Sequence, residues 1–297
     1  MRVRYLQLHI GAELAGRDVN SLLRRELGLS GAVLRRIKWL EDGITLDGAR
    51  VTTRVRAQEG QTLAVRLSDP EDAPQLEPTD GPLDVVYEDD DLAVVNKTPG
   101  MLVHPSHGHF DDTVGNYLMG RWRAAGEASG FHPVHRLDKG TSGLLAVAKH
   151  PYGQERMKNQ LHTGDFVRRY LAVCEGCPDP AEGVIDAPIA PVESSLIARE
   201  VRPDGQSART RYRVLSVHHG RALLQLELDT GRTHQIRVHM AHIGHPLTGD
   251  FLYGTEDREL IPRPALHSWQ IELTHPVTGA RLALEAPLPE DIKRLLY

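Results

Sequence analysis

The sequence contains little cysteine, with only Cys174 and Cys177 among its 297 residues. Two cysteines cannot build a disulfide framework, so we expect a reducing compartment. No run approaches the roughly 20 apolar residues that cross a bilayer. The N-terminal segment has arginines at positions 2 and 4 and lacks the apolar core of a secretory signal. We therefore expect a cytoplasmic protein with no membrane partner.

Positive charge is not in excess either, since the formal net charge is −5 at pH 7. The charges are unevenly placed along the chain. Residues 1–68 contain 12 Lys and Arg against 7 Asp and Glu, whereas residues 69–99 contain 1 against 10. Because the acidity is concentrated in one short segment, the negative net charge does not exclude a nucleic-acid partner.

Proline and acidic residues are concentrated in residues 69–83, DPEDAPQLEPTDGPL, where no apolar periodicity is present. This composition is typical of a linker. It divides the chain into a small N-terminal domain, residues 1–68, and a larger C-terminal domain, residues 84–297. A chain of this length is sufficient for both.

Residues 1–68 show a compact ααββ pattern. Apolar residues recur at helical spacing over 19–27 and again over 33–40. Asp47-Gly48 predicts a tight hairpin, and a final strand is predicted over 62–67.

The second predicted helix carries Arg35, Arg36 and Lys38, mostly on the face opposite its apolar stripe. The order of elements and this basic helix resemble the S4-type RNA-binding module. The resemblance implies that these three cations bind RNA. The alternative is a solvated basic face on a small capping domain.

Strands predominate after the linker. Runs rich in β-branched residues predict strands over 84–87, 92–96, 144–149, 170–175, 212–217, 222–228 and 280–285. A helix is predicted over 152–161. Many strands with few helices predict the α+β class, with a large mixed or antiparallel sheet in the C-terminal domain.

The most specific motif is HRLDKGTSG, residues 135–143, which runs directly into the apolar stretch LLAVAK. It presents one carboxylate, Asp138, between the cations Arg136 and Lys139. A loop held by a rigid strand is a common place for catalytic side chains. From these residues alone, a turn carboxylate paired with Arg136 is an equally good interpretation.

The motif resembles HRLDxxTSG, the central motif of the RluA-type pseudouridine synthases. Three further blocks resemble that family in the same order, residues 87–105, 168–176 and 228–254. One departure is Thr98, where the family more usually has proline. The resemblance implies the pseudouridine synthase fold, an isomerase that acts on uridine in RNA, and no cofactor.

The resemblance also assigns roles to three catalytic residues. Asp138 starts the reaction, either by attacking the nucleoside covalently or by removing a ribose proton, and the sequence does not choose between these. Arg237 pairs with Asp138 and orients it. Tyr170 stacks on the target base and helps remove the proton from C5. Uridine inside a stem must flip out to reach such a site.

Further residues of the matching blocks are expected to bind the substrate: His135, Arg136, Arg232 and His234. The expected partner is rRNA or tRNA, with the S4-like segment favouring large-subunit rRNA, and we expect a monomer. The alternative function is a catalytically silent RNA-binding or ribosome-assembly protein on the same fold.

Two patterns suggest metal chemistry, and we interpret neither as a metal site. His234, His239, His242 and His245 are closely spaced, which is the basis of a third hypothesis, a metal-dependent nucleic-acid enzyme. No HExxH motif accompanies them. The single CxxC pair, Cys174 and Cys177, lacks the second pair that a closed structural zinc site needs.

Overall fold

The computed structural model describes residues 1–70, 73 and 75–297. Its α-helices are α1 (Val19–Ser21), α2 (Gly31–Ile37), α3 (Val114–Ala124), α4 (Pro151–Thr163), α5 (Gln235–His242) and α6 (Glu290–Lys293). A π-helical turn, Leu22–Glu26, continues α1, and a 3-10 turn, Arg294–Leu296, follows α6.

The strands are β1 (Tyr5–His9), β2 (Ile44–Leu46), β3 (Ala49–Arg50), β4 (Thr62–Arg66), β5 (Asp84–Glu88), β6 (Leu92–Lys97), β7 (His132–Pro133), β8 (Ser142–Ala148), β9 (Val167–Glu175), β10 (Glu182–Asp186), β11 (Ile189–Pro191), β12 (Arg199–Val201), β13 (Arg209–His218), β14 (Arg221–Leu228), β15 (Leu266–Thr274) and β16 (Arg281–Glu285).

The N-terminal segment forms its own antiparallel sheet in the order β1-β4-β2-β3. Its helices pack on this sheet around buried residues that include Leu22, Val33 and Leu63. The first strand was not predicted from the sequence. Its side chains are half-buried or exposed, so its apolar alternation is limited to Leu6 and Leu8.

The catalytic part is built on a ten-stranded sheet whose main path is β10-β13-β14-β9-β15-β8-β6-β5. Strand β16 pairs with β15, and β7 pairs with β8. The pairing of β15 with β8 is parallel, whereas the other pairings in this sheet are antiparallel. The predicted α+β class with a large mixed sheet is confirmed.

The neighbouring strands β6 and β8 carry the apolar runs Leu92–Val95 and Leu144–Ala148 because both faces of the sheet are covered there. Val95 and Leu145 point to the side where α3 packs with Trp122. Their neighbours Val94 and Leu144 point to the opposite side, where α4 packs. The strand that the HRLDKGTSG motif enters, β8, is therefore buried along its whole length.

Part of the predicted linker, positions 71, 72 and 74, lies outside the described residues. Beyond it, the chain lies along α3, where the backbone N–H of Thr79 donates to the carbonyl of Asn116 at 3.1 Å. The approach is close because α3 has Gly120 there. A Cβ atom at this position would lie 2.2 Å from the Thr79 carbonyl oxygen.

Contacts from both sides join the N-terminal sheet to the catalytic part. Tyr152 of α4 packs in the N-terminal core, and its hydroxyl donates to the Leu27 carbonyl at 2.9 Å. Arg4 binds Asp91 through two hydrogen bonds of 2.8 and 3.0 Å. Within the described residues, no helix is long and apolar enough to span a membrane.

Candidate active site

An open cavity of about 480 Å³ lies beside the HRLDKGTSG loop, at the start of β9 and the N-terminal end of α5. Seven residues that the sequence predicted for the site line it: Asp138, Tyr170, Arg237, His135, Arg136, Arg232 and His234. The predicted RNA-binding cations Arg35, Arg36 and Lys38 do not line it. They are exposed on or next to α2 in the N-terminal segment.

The loop that carries Asp138 is fixed by the strand that follows it. The backbone N–H of Thr141 donates to the Asp138 carbonyl at 3.0 Å, and β8 begins at the next residue. Gly143 has φ +105°, and a Cβ atom there would lie 2.2 Å from the Ser268 carbonyl oxygen. Gly143 therefore permits the close parallel contact of β8 with β15.

Lys97 ties a second segment to this loop, and the sequence did not single it out. Its ammonium is almost fully buried and donates to the carbonyls of Thr98, Met101 and Lys139 at 3.0, 2.9 and 3.2 Å. Burial lowers the pKa of Lys97 to about 7, while three carbonyl acceptors favour the charged form with its three donors. The sequence offered one signal for Lys97, its position within residues 87–105, the first block that resembles the family.

Asp138 faces two basic side chains. Arg237 Nη1 lies 3.5 Å from Asp138 Oδ2, and His234 Nε2 lies 3.9 Å from the same oxygen. Arg237 is buried, with a side chain 5% exposed, whereas the Asp138 side chain is 27% exposed and open to the cavity. The carboxylate is therefore accessible to a ligand while a buried cation lies behind it.

The planar fork of Arg237 binds a different carboxylate, Asp250. Nε and Nη2 of Arg237 donate to the two Asp250 oxygens at 2.7 Å each. Burial opposes the charge, but the hydrogen bonds and charge of Asp250 raise the pKa of Arg237 above its ordinary value. Asp250 was not predicted, although it lies in the third matching block. Its supporting role is visible only in the structure, where it also accepts from the N–H of Leu252.

Tyr253 positions both basic neighbours of Asp138. Its ring centroid lies 5.0 Å from the guanidinium carbon of Arg237, within cation–π range. Its hydroxyl lies 2.8 Å from Nδ1 of His234. Burial lowers the pKa of His234, although the charge of Asp138 opposes this. His234 is therefore predominantly neutral at pH 7, and the positive charge beside Asp138 belongs to Arg237.

Tyr170 lies in the middle of β9 and is 3% exposed, with its ring at the cavity wall. Burial raises the pKa of the Tyr170 phenol, so the hydroxyl is protonated at neutral pH. Its registered neighbours are Leu226 and Ser268. Its aromatic ring and its hydroxyl are the two groups through which it can contact a bound base.

Arg136 and Arg232 lie at the rim of the cavity. Arg136 is exposed and makes a long contact of 3.4 Å to the Thr233 hydroxyl. Nε of Arg232 donates to the Ser207 carbonyl at 2.9 Å. Both guanidinium groups are therefore available to a polyanion that approaches the opening.

The closely spaced histidines have separate partners. His239 lies against the Thr210 hydroxyl and the Ala187 carbonyl, and His245 against the Glu175 carbonyl. Among the described residues, the one His and acid group with metal-like spacing is Asp89, Asp91 and His275, whose ligand atoms lie within 4.8 Å of one another.

Comparison with known proteins defines the class. A sequence model of the family described as RNA pseudouridylate synthase matches residues 91–242. The chain is 38% identical to the Bacillus subtilis RNA pseudouridine synthase YjbO, over 91% of this chain and 95% of the relative. It is 39% identical to the ribosomal large subunit pseudouridine synthase D of Nitrosomonas europaea, over 87% of this chain and 77% of the relative.

The solved structure of human RNA pseudouridylate synthase domain containing 4 matches with a TM-score of 0.58 and 25% identity, covering 72% of this chain and 91% of that one. The fold and the matching sequence blocks define an isomerase that acts on RNA. The chain belongs to the RNA pseudouridine synthase family, in its RluA-type branch, and converts uridine in RNA to pseudouridine.

Proposed function

We propose that Asp138 is the carboxylate that starts the isomerisation, with Arg237 holding it in place. The observation that carries this proposal is the 3.5 Å contact between Arg237 Nη1 and an Asp138 oxygen that stays open to the cavity. Because Asp250 holds the buried Arg237 in place, Asp138 has a fixed cationic neighbour, and its side that faces the cavity stays open.

The reaction breaks the bond between N1 of uracil and C1′ of ribose and forms a bond between C5 and C1′. The proton on C5 leaves and N1 gains one, so atoms balance without a cofactor. Positive charge that develops at the sugar is stabilised by a nearby carboxylate. Asp138 either forms a covalent bond with the nucleoside or removes a ribose proton, and both routes use the same position.

The remaining residues hold the base while it turns. In our proposal Tyr170 stacks on the flipped uracil and takes part in removing the C5 proton. His135, Arg136, Arg232 and His234 bind the nucleotide and its flanking backbone. Water must be excluded until C5 has reacted, because hydrolysis would release the base.

We propose large-subunit ribosomal RNA as the substrate. Three relatives support this, since those of Nitrosomonas europaea, Vibrio cholerae and Escherichia coli are each named ribosomal large subunit pseudouridine synthase D. They are 38–40% identical to this chain over 86–88% of its length. Transfer RNA is the second candidate because recognition in RNA follows shape and flanking contacts.

We also propose that residues 1–68 are an S4-like RNA-binding domain. In support, α2 presents exposed Arg35 and Arg36, and Lys38 follows at its end. Trp39 is 74% exposed, and the Lys38 ammonium lies 4.9 Å from its ring centroid. An exposed aromatic beside cations suits a single-stranded base next to phosphates.

We propose that the protein acts as a monomer. We place this monomer in the cytoplasm, where it meets ribosomal RNA.

The test is to map pseudouridine in ribosomal and transfer RNA from cells with and without this gene. We expect at least one large-subunit rRNA position to lose the modification, and the wild-type gene to restore it while Asp138→Asn does not. Loss confined to tRNA would replace the proposed substrate. Unchanged RNA in both classes would contradict the proposal.

A further inference from the structure

Arg168 is a buried cation in the active-site cavity for which the described residues supply no counter-charge. It lies two residues before Tyr170 on the same face of β9, is 5% exposed and lines the cavity. Its one hydrogen bond runs from Nη2 to the Thr230 carbonyl at 3.4 Å, and its buried Nε has no partner among the described residues. No carboxylate of those residues lies within 4.0 Å of it. Arg237 and Arg263, equally buried, each bind a carboxylate through two hydrogen bonds.

His135 supplies a second donor without a partner. Its Nε2 accepts a hydrogen bond from the backbone N–H of Ala146 at 3.2 Å, which places the ring proton on Nδ1. Burial, helped by the charge of Arg168, lowers the pKa of His135 to about 3. The ring is therefore neutral at pH 7, and its buried Nδ1–H has no acceptor in the described part of the chain.

Buried donors without acceptors are costly, and an unpaired buried charge is more costly still. A uracil or ribose oxygen would accept a hydrogen bond from His135 but would leave the guanidinium charge without compensation. An anion that contacts both groups would accept the hydrogen bond and compensate the charge. RNA brings one such group with every nucleotide, the phosphodiester, and guanidinium groups bind its oxygens through charge-assisted hydrogen bonds.

We propose that Arg168, together with His135, forms a subsite for a phosphodiester that flanks the flipped uridine. This proposal rests on the proposed function, because it assumes that the nucleotide enters the cavity beside Asp138. It assigns to Arg168 a task that the catalytic carboxylate and Tyr170 do not perform, which is to fix the position of the RNA backbone. The burial of an unpaired charge in the free protein is then compensated in the complex.

The neighbouring Arg169 offers a matched control. It lies on the opposite face of β9 and is already paired with Glu227 and Glu272. Arg168→Gln and Arg169→Gln therefore remove the same charge one residue apart. Only the first removes the group that faces the cavity.

The experiment measures binding of uridine 3′,5′-bisphosphate, uridine and inorganic phosphate by isothermal titration calorimetry. We expect the wild-type protein to bind the bisphosphate at least about tenfold more tightly than uridine, because one hydrogen bond between charged groups raises an affinity by about this factor. Arg168→Gln should abolish the preference, and Arg169→Gln should retain it. A preference that survives in Arg168→Gln would overturn the proposal. Equal binding of inorganic phosphate and the bisphosphate would overturn the assignment to RNA.

Two further measurements keep the result interpretable. The thermal midpoint of Arg168→Gln in phosphate-free buffer should not be below that of the wild type, since the charge it removes is uncompensated. If Arg168→Gln does not fold, Arg168→Lys should keep the bisphosphate preference, and its loss there would count against the subsite. Wild-type pseudouridine formation on ribosomal RNA is assayed separately, so a failure of the proposed function is distinguished from a failure of the phosphate subsite.

Discussion

Arg237 binds Asp250 through two of its guanidinium nitrogens, Nε and Nη2, and contacts Asp138 only through the third, Nη1. The two hydrogen bonds to Asp250 are 2.7 Å long, and the contact to Asp138 is 3.5 Å. Asp250 is fully buried, so Arg237 cannot move toward the cavity without leaving an unpaired charge behind. The geometry of Asp138 thus depends on a carboxylate that does not line the cavity.

This relationship predicts that Arg237→Lys and Asp250→Asn slow the reaction similarly. Lysine keeps the charge but lacks the planar fork, and asparagine keeps the shape but removes the charge that the fork binds. We expect each to lower the single-turnover rate on saturating RNA by roughly tenfold or more, equivalent to about 1.4 kcal/mol of transition-state stabilisation. Arg4→Lys, which breaks the bidentate pair with Asp91, is the control and should leave the rate unchanged. Wild-type rates in both test variants would show that the pair does not orient Asp138.

For Tyr170→Phe we predict normal RNA binding and a defect in chemistry. Phenylalanine keeps the stacking ring and removes the hydroxyl, which is protonated at neutral pH and which we therefore assign to relaying the C5 proton, accepting it as its own proton leaves. General acid–base groups contribute about 10²–10⁴-fold, so we expect tritium release from C5-labelled RNA to fall by at least about 100-fold. Cleavage of the glycosidic bond should still be detectable. Release at the wild-type rate would limit Tyr170 to stacking.

The basic surface of the N-terminal segment is better tested by substitution than by deletion. Removing residues 1–68 would expose Tyr152 and take Arg4 away from Asp91. Arg35→Glu combined with Lys38→Glu avoids this. We expect weaker RNA binding and an unchanged rate at saturating RNA. The salt dependence of binding should fall by about one unit for each phosphate that the variant no longer neutralises.

The matched control for that variant is Arg54→Glu combined with Arg123→Glu, which changes the net charge equally at exposed positions outside α2. It should bind RNA nearly as the wild type does. Equal weakening by the two double variants would mean that general charge, and not this helix, attracts the RNA.

Two buried histidines predict how stability depends on pH. Burial lowers the pKa of His135 to about 3 and that of His267 to about 4, against about 6.5 in the unfolded chain. Both are neutral when folded, so below about pH 6.5 the unfolded state binds more protons. Stability is therefore full above about pH 6.5 and falls as the pH drops toward about 4, by up to about 1.4 kcal/mol per pH unit for each histidine.

Urea unfolding between about pH 4.5 and 7.5 measures this slope. His267→Asn keeps an acceptor for Ser142, whose hydroxyl lies 2.9 Å from Nδ1, but removes the titrating ring. We expect its slope below about pH 6.5 to be shallower than that of the wild type. An identical slope would exclude His267 as a source of the pH dependence.

The sequence predicted the sheet-forming strands β6, β8, β9 and β14 because runs of β-branched and aliphatic residues persist where both faces are covered. It did not predict α3, whose Gly115 and Gly120 disfavour a helix locally. Those glycines are explained by the chain that lies along α3, a long-range contact that no local pattern contains.

The candidate site shows the same difference between local sequence patterns and long-range contacts. The resemblance identified Asp138, Tyr170 and Arg237 because each lies in an unbroken motif, and the fold brings these three separate motifs to one cavity. The supporting residues Lys97 and Asp250 act through backbone carbonyls and a buried ion pair. No local pattern marks Arg168, because the absence of a counter-charge among the described residues is a property of its three-dimensional neighbours.

The most direct test of the account is the single-turnover rate of Asp138→Asn on ribosomal RNA that lacks the modification. The amide keeps the size of the side chain but can act neither as a nucleophile nor as a base. We expect pseudouridine formation, followed by tritium release from C5-labelled RNA, to be undetectable, while the thermal midpoint and the affinity for RNA stay near those of the wild type. Activity within about tenfold of the wild type in a folded Asp138→Asn protein would contradict the assignment of Asp138 as the residue that starts the reaction.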